Sequence, residues 1–190
     1  MPPFDRVTRI SKLEVVKTGT PVQTGIKISW QGETKPFDVY KIPIEILVYN
    51  KLNGRIGTLV ATWEAQPQNQ ELNIENPDHV KVIEKFLWDS KKDRNSKTLE
   101  NIADEEQKQP GIVTRDGIII DGNRRAMLLN RIKNNPHIYN ASSHEHANFF
   151  NAIILDSDGT PKDVQRLETK YQMGQDEKLD YNPIEKYLKV

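Results

Sequence analysis

The chain has no cysteine among its 190 residues, which removes disulfides, thiolate metal sites and a cysteine nucleophile from consideration. It also has no charge of one sign to spare: Lys+Arg and Asp+Glu number 27 each. A neutral total argues against coating nucleic acid through charge alone, and leaves room for a local basic site. No 18-residue apolar run is present, and Met1-Pro2-Pro3-Phe4-Asp5 lacks a signal-peptide pattern. No internal repeat is visible. These absences give the expectation of a cytoplasmic protein with no membrane partner. The hydrophobic share, 36%, is enough for a single core.

What is present reads as a mixture of strands and helices. Residues 1–25 are polar and punctuated by Pro2, Pro3, Pro21 and Gly25, and are read as a loosely packed arm. Ile26-Lys27-Ile28-Ser29-Trp30 alternates as a half-buried strand, Gln31 to Thr34 makes a hairpin turn, and a second extended run follows from Pro36 to Ile44. Ile46 to Tyr49 then leads into the polar turn Asn50-Lys51-Leu52-Asn53-Gly54-Arg55. Residues 65–78 read as a surface loop, His79–Trp88 as a helix, 89–97 as a charged stretch of mixed sign, and Thr98–Gln107 as another helix. Asp116-Gly117 between two isoleucine- and valine-rich runs is a strong hairpin signal. The strand ending at Asp121 passes through Gly122 into helical spacing over 123–133. Phe149 to Leu155 is a buried strand, and Thr160-Pro161 starts a helix that fades at Met173-Gly174. Asn182-Pro183-Ile184-Glu185 starts one more. So little chain follows it that the sequence reads as a piece of something longer. The expected fold is α/β (α+β), a small mixed sheet with flanking helices. Residues 1–40 form an arm and β-hairpin extension, and residues 41–190 the main domain.

The strand-to-helix junction at Gly122 carries the chemistry. The first N–H groups of a helix have no intrahelical partner, and with the helix dipole they favour an anion. Arg124 and Arg125 occupy that first turn, where cations are disfavoured. A phosphate or carboxylate gripped by both forks, with Gly122 allowing close approach, explains them. The rival reading is that arginines at helix starts are common and that a capping Asp121 needs no ligand. Local charge favours the anion: residues 122–144 contain no acid, while Arg124, Arg125, Arg131 and Lys133 are all basic. Residues 156–185, in contrast, are rich in acids that could hold Mg²⁺.

Other clusters have plainer explanations. His144-Glu145-His146, with His137, Asp156 and Asp158, matches no zinc spacing and reads as a polar loop. Asp156-Ser157-Asp158-Gly159 starts like a calcium loop, but Leu167 stands where the bidentate Glu belongs, which leaves a turn. Trp30, Trp63 and Trp88 read as core or core-edge residues, and Lys91-Lys92-Asp93-Arg94 as a solvated face.

Ile118-Ile119-Ile120-Asp121-Gly122-Asn123-Arg124-Arg125-Ala126 resembles the Gly-x-Arg-Arg box of the ParB/sulfiredoxin-like superfamily. Ile42-Pro43-Ile44-Glu45-Ile46, with Asn50, Asn53 and Arg55, resembles its first box. Leu167 to Gln172, and later Leu179 to Glu185, resemble its third. Gln109-Pro110-Gly111-Ile112-Val113 fits the strand between boxes, and the likeness spans about residues 40–190. The resemblance implies a domain binding CTP or ATP with Mg²⁺. Gly122, Asn123, Arg124 and Arg125 would lie on the phosphates, Asn53 and Arg55 would close over the nucleotide, and Glu168 would place the metal. It further implies a DNA-linked process such as partitioning or anti-phage defence, with DNA and a second copy of the chain as partners. The chain departs from the pattern at Asn123, where ParB has Glu, at Ala126-Met127, where a further Arg is missing, and at Thr169, where Asn is usual. Extra residues also separate Glu168 from Asn182. Sulfiredoxin's cysteine chemistry is excluded, and a ParB helix-turn-helix would follow residue 190. NTPase activity is left open. The alternatives are a metal-dependent DNA nuclease with Asp121 and Glu168 as ligands, and a non-enzymatic interaction module with a degenerate pocket.

Overall fold

The computed structural model describes residues 4–180. The expected helix start at Asn182 lies outside them. A six-stranded mixed sheet has the order β1-β2-β6-β4-β5-β3. Its strands are β1 (Gln23–Trp30), β2 (Glu33–Pro43), β3 (Val48–Tyr49), β4 (Gly111–Val113), β5 (Ile118–Asp121) and β6 (Phe149–Ile154). β1 and β2 form the expected hairpin, turned by Gln31 and Gly32 with φ of 52° and 84°, the left-handed pair that matches strand twist. β2 pairs antiparallel with β6, β6 parallel with β4, β4 antiparallel with β5, and β5 parallel with β3. β2 runs unbroken across residue 40, so hairpin and main sheet are one surface.

Strand alternation sends successive side chains to opposite faces. Ile119 and Ile154 enter a large core with Phe150, Leu128, Leu129, Ile83 and Leu87. Ile120 and Ile153 enter a smaller one with Ile28, Trp30, Val39 and Leu167. The first core is covered by helices α1 (Arg6–Lys17), α2 (Gly57–Glu64), α3 (Pro77–Asp89), α4 (Lys92–Glu105), α5 (Asn123–Lys133) and α6 (Ala141–His146). The second is covered by α7 (Pro161–Asp180), whose Val164 and Tyr171 pack on it beside Leu167. No helix among the described residues is long and apolar enough to cross a membrane.

Four expectations need correcting. Residues 1–25 are not a loose arm throughout: Asp5 caps α1 by accepting from Thr8 N, and Leu13 is fully buried. Arg9, 2% exposed, ties that helix down, donating to Asp116 O at 2.8 Å, Phe4 O at 2.9 Å and Glu75 Oε1 at 2.6 Å. The charged stretch 89–97 belongs mostly to α4, because Asn95, Ile102 and Ala103 share its buried side. The histidine loop contains α6, capped by Asn140. Finally, α7 continues through Met173-Gly174 to Asp180, since one glycine costs a helix only about 1 kcal/mol.

Candidate anion-binding site

Three segments far apart in sequence meet where β5 becomes α5. Gly122 stands at the N-cap with φ 103° and no side chain caps the helix. A Cβ there would lie 2.6 Å from Phe150 Cζ, so the fold itself demands glycine, whatever ligand approaches. Asn123 is buried and works as a latch: its Oδ1 accepts from Asn50 N at 2.9 Å, and its Nδ2 donates to Ile119 O at 2.8 Å. The latch explains why Asn suits this place, since the carboxylate of Glu could not donate to a carbonyl.

The turn it holds is locally built from asparagines. Asn50 Oδ1 accepts from Leu52 N and Asn53 Oδ1 from Arg55 N, both at 3.0 Å, the side-chain-to-backbone pattern that fixes polar turns. Asn53 is 4% exposed, so it shapes the turn from within. From α7, Glu168 Oε1 accepts from Gly54 N at 2.7 Å. Asn53, Arg55, Gly122, Asn123 and Glu168, expected to act together, are therefore brought together.

The two arginines have different fates. Arg125 Nη2 donates to Asp121 Oδ2 at 2.6 Å, and its Nη1 donates to Gln109 O and Pro110 O. Its fork is thus taken up by its own chain, and so is Asp121. Arg124 donates through Nε to Asn95 Oδ1 at 2.8 Å, and among the described residues it has no carboxylate partner. Burial, and then the charges of Arg55 and Arg94, push its guanidinium down to about 10, so it remains fully charged at neutral pH. Neither Arg55 nor Arg94 has an ion pair among the described residues. Among the described residues these three cations have no ion-pair partner, an arrangement that suits a multiply charged anion.

Arg94 and Asn95 were not expected here. Lys91-Lys92-Asp93-Arg94 reads from sequence as a solvated face, and Arg94 is exposed. Its part lies in the charge it adds beside Arg124, which spacing alone does not reveal.

Both expected metal ligands have partners within the chain. Asp121 is paired with Arg125 and Glu168 accepts from Gly54. No group of three or more His, Cys, Asp or Glu side chains among the described residues could hold an ion. His146 Nε2 lies 3.0 Å from Ile102 O, and Asp156 and Asp158 pair with Lys35 and Arg6, which accords with structural roles for both segments. Trp30 is core, its Nε1 donating to Ser157 Oγ at 2.9 Å. Trp63 meets Phe86 at the core edge, and Trp88 lies under Arg131.

A cleft of about 480 Å³ runs beside the same turn, bordered by Asn50, Leu52, Ile118, Val164, Gln165 and Glu168. Arg6, Asp116 and Asp158 also border it, and it touches the arginine site only through the turn and Glu168, none of the three arginines lining it. Comparison with protein-family models, curated proteins and solved structures found no match to this chain.

Proposed function

We propose that the chain binds a nucleoside triphosphate, with the phosphates held by Arg124, Arg55 and Arg94 at the start of α5. The carrying observation is the arginine trio around a half-buried Arg124, which has no ion-pair partner among the described residues. A triphosphate brings several negative charges to a place where the chain keeps three positive ones. It also reaches the uncapped helix start, whose free N–H groups add donors in the same direction. The adjoining cleft has room and mixed chemistry for a base and sugar, with Asn50 and Gln165 as amides and Leu52 and Val164 as apolar walls.

CTP and ATP are the candidates that the ParB-type resemblance supplies. Mg²⁺ belongs to the proposal as the nucleotide's own counter-ion, with Glu168 the carboxylate at the turn. The resemblance extends the proposal to a DNA-linked process, with DNA and a second copy of the chain as partners. The nuclease reading has less support, because Asp121 is committed to Arg125. No residue is assigned to hydrolysis.

The test is thermal unfolding with each of the four common ribonucleoside triphosphates, with and without Mg²⁺. A ligand at about 100 times its Kd stabilises by about 2.7 kcal/mol, which moves the midpoint by several degrees. The rise should be lost in Arg124→Ala. A midpoint indifferent to all four nucleotides would sink the reading.

A further inference from the structure

We infer that Asn95 is the positioning residue of the anion site: it holds Arg124 by Nε and thereby leaves both terminal nitrogens of that guanidinium for the ligand. The inference rests on the reading of the arginine cluster as a phosphate site, and names a residue that acts through another.

The argument starts from hydrogen-bond inventory. Asn95 is fully buried, so each of its polar atoms needs a partner. Its Nδ2 donates to Leu87 O at 3.0 Å and Trp88 O at 2.6 Å, two carbonyls at the end of α3. Both hydrogens of the amide are thereby used, and a flipped amide would set oxygen against two carbonyls. The orientation is fixed. Oδ1 must face the other way, where Arg124 Nε meets it at 2.8 Å.

Arginine has five N–H donors in a rigid plane. With Nε taken, the remaining donors are on Nη1 and Nη2, and neither nitrogen has a partner among the described residues. The plane of the fork is set by the α3–α4 elbow, while its open end is free to grip two phosphate oxygens. Asn95 is neutral, and this matters. A carboxylate in its place would have no hydrogen for the Leu87 and Trp88 carbonyls and would cancel the charge the ligand needs, as Asp121 does for Arg125. The neighbouring Arg94 adds its charge from the same turn of α4, so one helical turn supplies both the holder and a further cation.

The test is a double-mutant cycle read by calorimetric binding of inorganic tripolyphosphate to the full chain. A hydrogen bond that orients a charged group contributes enough to expect at least about a ten-fold affinity loss in Asn95→Ala. In an Arg124→Ala background the same change should alter affinity less than about two-fold, because the residue through which Asn95 acts is gone. Equal losses in both backgrounds would overturn the positioning role and leave the anion site standing. No binding by the unmodified chain would remove both. Asn95→Ala also removes the donor to Trp88 O at the end of α3 and can fail to fold, so a second measurement uses the unmodified protein. The Arg124 Nε–H resonance should be protected from exchange before ligand is added and barely move during titration, while the Nη protons become protected. Rapid Nε–H exchange in the free protein would overturn the inference.

Discussion

Arg125 Nη2 lies 2.6 Å from Asp121 Oδ2, one helical turn back across the β5–α5 junction. Both side chains are nearly inaccessible, at 16% and 11% exposed. Such a pair is costly to break from one side, because the remaining charge stays half-buried without a partner. Arg125→Ala should therefore destabilise the chain by about 2–4 kcal/mol while tripolyphosphate affinity changes less than about three-fold. Arg124→Ala should do the reverse to binding, weakening it about 100-fold but leaving it measurable, since the charges of Arg55 and Arg94 remain. Urea unfolding and calorimetry on the two variants decide the matter. If Arg125→Ala folded stably and lost the ligand, the division of roles between the neighbours would be wrong.

Arg94 tests the cluster from its exposed side. It adds charge beside Arg124 and has no ion-pair partner among the described residues. In the free protein Arg94→Ala should therefore raise the urea midpoint at low ionic strength by relieving like-charge repulsion. The gain should fade near 1 M salt, where the screening length is about 3 Å. In the presence of tripolyphosphate the order should invert, with the unmodified chain the more stable. A midpoint that fell in Arg94→Ala without ligand at low salt would show that the arginines are not in electrostatic conflict.

Much of the frame is legible in local chemistry. Asp116-Gly117 announces the β4–β5 hairpin because Gly117 sits at φ 85°, and Thr160-Pro161 announces α7 because proline suits a first helical position. Asp121-Gly122-Asn123 marks the strand-to-helix junction for the same kind of reason. The segments around Asn53, Gly122 and Glu168 meet through the side chains of Asn123 and Glu168. What stayed hidden depends on contacts across the fold. The packing of α1 rests on a buried Arg9 whose partners are 5, 66 and 107 residues away, and no periodicity marks a guanidinium as core. Which of two adjacent arginines is free depends on the carbonyls of Gln109 and Pro110 and on the side chain of Asp121, and which one is held depends on Asn95 within a charged run. Gly122 is legible as the turn between strand and helix, yet the close approach it permits is to Phe150.

Asp116 gives a pH dependence. Burial alone would raise its carboxyl, but the hydrogen bonds from Thr114 and Arg6 and the Arg6 charge outweigh it, so the net shift is downward from 3.8. A carboxylate held below its unfolded value stabilises the fold above that value, and the contribution is lost as pH falls through the folded value. Stability should thus decline below about pH 4, and Arg6→Ala should decline less over the same interval. Urea midpoints at pH 6 and pH 3 for the two proteins measure the difference. An Arg6→Ala variant with an unchanged or steeper acid limb would place the shift elsewhere than in this contact.

Gly122 separates backbone strain from packing. Gly32 and Gly122 both have positive φ, 84° and 103°, so alanine at either pays a left-handed penalty of about 1–2 kcal/mol. At Gly32 nothing lies within 4 Å of the added carbon, and the strain should be the whole effect. At Gly122 the new methyl would lie 2.6 Å from Phe150 Cζ and 3.2 Å from Arg125 Nη2. Phe150 is fully buried between β-sheet and helices, so its ring has no room to retreat, and overpacking adds about 1–3 kcal/mol. Gly122→Ala should therefore cost about 2–5 kcal/mol, clearly more than Gly32→Ala. Because it presses on the Arg125 fork as well as on the ring, it should also weaken the hold on Asp121 and so loosen the start of α5 that faces the proposed ligand. Equal unfolding free energies for the two alanine variants would mean that Phe150 yields, and the junction would then be less rigid than its hydrogen bonds imply.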